Sequence, residues 1–147
     1  MSQVLGVVIE YDQEGLKPVS LEVISAARKL ADQVSGKVVV FYLCLEADEQ
    51  VDLFIQYGAD EVRLLQHPDL NTYIHENYGF ALTRELEKSS VDYLFLPATN
   101  NGKELSAVLS AQLGVGVATD CISLSVWGEG DVEAVRPVSA GKALSTV

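Results

Sequence analysis

Cysteine is scarce in this chain. Cys44 and Cys121 are the only two, far apart in apolar runs, with no C-x-x-C and no histidine cluster beside either. This excludes a disulfide framework, a thiol redox motif and a cysteine-ligated metal, and leaves two small buried hydrophobes. Positive charge is scarce too: ten Lys and Arg stand against 21 Asp and Glu, a formal charge of −11 and a pI near 4.4. A polyanion or an anionic membrane surface would meet net repulsion. Long apolar runs are missing, the longest being stretches such as Val4–Ile9 and Val38–Leu45, well short of the roughly 18 residues of a membrane span. The first residues, Met-Ser-Gln-Val-Leu-Gly, carry no basic segment before the apolar stretch, so no signal or transit peptide is expected and a cytoplasmic setting follows.

What is present is a packed domain. Of the 147 residues 48% are hydrophobic and only four are proline, a composition that excludes disorder for most of the chain and needs no covalent staple. Strand-like and helix-like patterns alternate along it. Val4–Tyr11 is a near-continuous β-branched run, followed by turn residues Gly15 and Lys17-Pro18. Leu21, Ile24, Ala27, Leu30, Ala31 and Val34 recur at helical spacing after Ser20, a candidate N-cap. Lys37–Leu43 reads as a second strand, Gln50–Tyr57 as a short helix stopped by Gly58, and Glu61–Leu65 as a third strand. Asn71–Ser89 is an amphipathic helix that Asn71 or Thr72 could cap; Val91–Leu96 is a fourth strand, ended by Pro97. A helix then runs from Asn101 or Gly102 to about Leu113, and Val115–Ala118 makes a short fifth strand. Ile122–Trp127 and Val132–Val138 flank Gly128–Asp131 as an antiparallel hairpin. The order predicts one doubly wound α/β domain, a mostly parallel, Rossmann-like sheet of about five strands extended by that hairpin. A further strand begins at Ala143–Val147, which suggests a piece of a longer protein.

In such a sheet a ligand binds at the carboxyl ends of the strands where strand order reverses. The residues expected there are Thr99, Asn100, Asn101, Gly102 and Lys103, with the turn after the first strand. A phosphate could sit on the helix N-terminus at Gly102, with Thr99 and Asn100 as donors and Lys103 as cation. The motifs argue against it. GxxxxGK[ST] would need Gly at Pro97 and Ser or Thr at Glu104, and Tyr11-Asp12-Gln13-Glu14-Gly15 is no GxGxxG and carries two repelling carboxylates. The alternative reading is that Thr99 and Asn101 merely cap the helix. His67 and His75, eight apart, match no metal-ligand spacing, and Glu46, Asp48, Glu49 and Asp52 read as a solvated loop. No GxSxG elbow or cysteine–base pair offers a nucleophile. Catalytic and metal-binding residues are therefore not expected.

A series of segments does carry a resemblance. Leu16–Glu22 with Ala26–Ala31, Tyr57–Val62, Thr99 with Gly102–Leu105, Thr119-Asp120, and Arg136-Pro137 with Gly141–Ala143 together resemble the N-terminal domain of the electron transfer flavoprotein α subunit, in order and across essentially the whole chain. The resemblance implies an adenine nucleotide α-hydrolase-like fold that serves as scaffold and docking domain. It implies a heterodimer with a β subunit that takes electrons from flavin dehydrogenases to a downstream acceptor. It also implies FAD held by a C-terminal domain that this chain lacks; the Gln66-His67 pair does not replace that domain's Ser-Gly-x-x-Gln-His motif. Where the family commonly carries Pro-Arg after Gly102, this chain has Ala107-Val108. A second reading, from a different class, is a free-standing adenine-nucleotide-binding module of universal stress type with Thr99–Lys103 on the phosphates.

Overall fold

The computed structural model describes residues 3–46 and 48–117, together with the backbone of three later strands, Ser123–Trp127, Asp131–Val138 and Ala143–Thr146. The elements follow in the order β1 (Val4–Val8), β2 (Tyr11–Asp12), β3 (Gly15–Leu16), α1 (Pro18–Gln33), β4 (Lys37–Cys44), α2 (Gln50–Gln56) and β5 (Glu61–Gln66). After a 3-10 turn at Pro68–Leu70 come α3 (His75–Lys88), β6 (Tyr93–Phe95) and α4 (Asn100–Leu113), then β7 (Ser123–Trp127), β8 (Asp131–Val138) and β9 (Ala143–Thr146).

The central sheet has the order β5-β4-β1-β6, and each pair in it is parallel. Strand β4 shows why the middle of the sheet is stable. Val38 to Cys44 are all buried, and the two-residue period sends alternate side chains to opposite faces. Val38, Val40, Tyr42 and Cys44 join Ile24, Ala27, Leu30 and Ala31 of α1 and Phe54 of α2; Val39, Phe41 and Leu43 join Tyr78 and Leu82 of α3 and Leu105 and Leu109 of α4. A continuous apolar run is what a strand covered on both sides requires. Gly6 makes room in this arrangement, since a Cβ there would lie 2.9 Å from Phe41 Cε2 and 3.0 Å from Leu94 Cδ1.

The alternation read from the sequence is present as expected, with five differences. The parallel sheet has four strands rather than about five. Val115–Val117 is not a strand, because Val115 N–H donates to Ser110 O and Val115 O accepts from Ser110 Oγ, which ties the segment back to the end of α4; Ala118 lies outside the described residues. The hairpin of β7 and β8 forms a separate antiparallel sheet with β9 instead of extending the parallel one. Ser20 is not an N-cap: α1 begins at Pro18, whose fixed φ suits a first turn, and Ser20 is buried inside it. Asn71 and Thr72 do not cap α3, which starts only at His75 after the extended Ile74. The first strand also ends sooner than its β-branched run, and Tyr11–Asp12 pairs instead with Gly15–Leu16 in a two-residue ladder. Among the described residues no helix is long and apolar enough to cross a membrane.

Candidate functional site

From β1 the chain moves outward through β4 to β5, then returns through α3 to place β6 on the other side of β1. The reversal of strand order therefore falls between the carboxyl ends of β1 and β6, the position at which α/β sheets bind ligands. Three segments meet there: Ile9-Glu10-Tyr11 after β1, Leu96-Pro97 after β6, and the first turn of α4.

Thr99 stands immediately before α4 with extended backbone (φ −92°, ψ 171°), and its Oγ1 accepts from Gly102 N–H at 3.0 Å. It is an N-cap, satisfying one of the orphan donors of the first turn. The same hydroxyl donates to Glu10 Oε1 at 2.6 Å. Asn101 does not cap; its carbonyl accepts from Tyr73 O–H at 3.2 Å. Asn100 and Lys103 are exposed, and Lys103 N–H donates to Thr99 O at 2.9 Å in the ordinary helical pattern. Gly102 is buried, and a Cβ on it would fall 1.8 Å from Pro97 O. The glycine lets α4 start directly against the end of β6.

Glu10 was not among the residues singled out from the sequence, yet it is the centre of this arrangement. Its backbone is held at both ends by Ser20, which accepts from Glu10 N–H at 2.7 Å and donates to Glu10 O at 3.0 Å. Its side chain is nine-tenths buried, and Oε2 lies 2.9 Å from Lys17 Nζ. That ion pair, at hydrogen-bond distance, leaves the buried Oε2 with Lys17 as its partner. Pairing with Glu10 raises the Lys17 ammonium above its ordinary pKa. Tyrosines close the rest. Tyr78 O–H donates to Leu70 O at 3.0 Å, Tyr11 O–H to Leu43 O at 2.6 Å, and Tyr73 O–H to Glu104 Oε1 at 2.8 Å. Burial raises the pKa of all three phenols, and for Tyr73 the Glu104 carboxylate adds to the shift. The cavity left among Glu10, Tyr11, Tyr73, Tyr78, Asn101 and Leu105 is about 20 Å³, room for about one water.

A second hollow of about 380 Å³ opens beside the first, over the ends of β1 and β4. Its walls include Tyr11 and Tyr42, its rim Asp12, Glu14, Glu46 and Asp48, and among the described residues no Lys or Arg lines it. Asp48 Oδ1 accepts from Tyr42 O–H at 3.2 Å and from Gln50 N–H at 3.0 Å, so this carboxylate braces the start of α2. The remaining candidates are dispersed. His67 Nδ1 accepts from Asp69 N–H at 3.1 Å, whereas His75 lies between Glu76 and Glu104 at 3.2 and 3.5 Å. Among the described residues no group of His, Cys, Asp and Glu could hold a metal ion. Cys44 is buried in the α1 side of the core, which pushes its thiol up; Cys121, Thr119 and Asp120 lie outside the described residues.

Comparison with known proteins bears on the whole chain. The family model described as electron transfer flavoprotein domain matches residues 5–147. Protein FixB of Azorhizobium caulinodans is 33% identical over 96% of this chain and 39% of its own length. The electron transfer flavoprotein subunit alpha of Bacillus subtilis is 33% identical over 90% of this chain and 40% of its own length. The subunit LctC of the NAD(+),ferredoxin lactate dehydrogenase of Acetobacterium woodii is 26% identical over 96% of this chain and 34% of its own length. The chain thus spans about two fifths or less of the curated relatives it matches.

Proposed function

The chain belongs to the electron transfer flavoprotein family, and from that premise we propose that residues 1–147 form the N-terminal scaffold and docking domain of an α-type subunit. That subunit pairs with a β subunit in a cytoplasmic heterodimer that carries electrons from flavin dehydrogenases to a downstream acceptor. The chain is no enzyme by itself, and the FAD of the complex is held outside it. One observation carries the reading: the switch point is filled by the protein's own side chains, leaving about 20 Å³. The described residues do not fit a flavin or adenine dinucleotide. The hollow at the switch point has no volume for one, and the larger hollow sets four carboxylates and no cation against a pyrophosphate. Thr99 to Lys103 accordingly serve to start α4, with Thr99 as its cap. The names of the relatives support the electron-transfer role, among them the acryloyl-CoA reductase electron transfer subunit beta of Anaerotignum propionicum, 33% identical over 71% of this chain.

The alternative of a free-standing module of universal stress type is not favoured, since the family match runs from residue 5 to residue 147. Purification and calorimetry test the proposal together. The chain is expected to be colourless, to show no saturable stabilisation by millimolar AMP, and to be retained by an immobilised β-type subunit. A stoichiometric flavin absorbance, or a stabilisation by AMP that Thr99→Ala abolishes, overturns it.

A further inference from the structure

We draw no further inference here: the strongest candidate, the acid-rimmed hollow over the ends of β1 and β4 with Leu45 exposed in its lining, is a cluster of carboxylates beside an unpartnered surface, and nothing in the structure shows what covers it.

Discussion

The two hollows at the carboxyl edge of the sheet share Ile9 and Tyr11 as walls and differ in nearly everything else. The one at the topological switch point is filled by Glu10, Tyr73 and Tyr78; its neighbour over β1 and β4, where strand order does not reverse, is open and acid-rimmed. Topology marks a place where backbone ends diverge and helix termini converge, but the side chains there decide whether it holds a ligand. In this chain they complete a core, and the volume has moved to a neighbouring position whose charge repels anionic cofactors.

Because the two hollows differ in this way, their side chains respond differently to perturbation. The largest effect is expected from alkali, because it acts on the tyrosine wall itself. Burial holds the phenols of Tyr42 and Tyr78 well above the ordinary range. A pKa raised in the folded chain gives stability that is complete below the unfolded value, about 10, and is lost as pH rises above it. Each such group contributes at most ~1.4 kcal/mol per pH unit, so stability is expected to fall progressively above pH 10, by no more than about 3 kcal/mol per unit for the pair. Denaturant midpoints from pH 9 to 11.5 check this; a flat profile contradicts it. Next comes Gly102→Ala, which drives a Cβ into the Pro97 carbonyl and is expected to cost about 3 kcal/mol, since two backbones must part.

Replacing Thr99 with alanine is expected to cost about 1 to 2 kcal/mol through loss of the cap. Asn101→Ala, whose side chain caps nothing, is expected to stay within about 0.5 kcal/mol. Chemical denaturation of both variants compares them, and equal losses would remove the distinction between the residues. The smallest effect belongs to the open hollow: Glu14→Gln on its exposed rim is expected to change stability by less than about 0.5 kcal/mol. A loss as large as that of Thr99→Ala would mean that the rim is as integral as the filled side.

Much of this arrangement was legible in the residues. The β-branched runs announced β1 and β4, and the small and apolar residues at helical spacing announced α1. Thr99 before Asn-Asn-Gly announced a cap. Ser20 misled because a serine near a helix start looks like a cap, whereas its hydroxyl serves Glu10 across a gap of ten residues. Val115 misled in the opposite way: its apolar character suggested a strand, but Ser110 takes its backbone groups first. Glu10 did carry a signal, as an acidic residue continuing an otherwise apolar run, Val7-Val8-Ile9-Glu10-Tyr11. Nothing local, however, states what a carboxylate at that point would face.

The sequence by itself determined the alternation of elements, the strand character of β1 and β4 and a cap at Thr99 ahead of α4, because periodicity and capping act between residues a few positions apart. The tertiary structure alone decided that β6 lies beside β1, which brings Thr99 to Glu10 across 89 positions. It also decided that Tyr73 and Tyr78 fill what remains. Strand order is settled by how whole faces bury one another, so a contact at the switch point is read only after the sheet has been assembled.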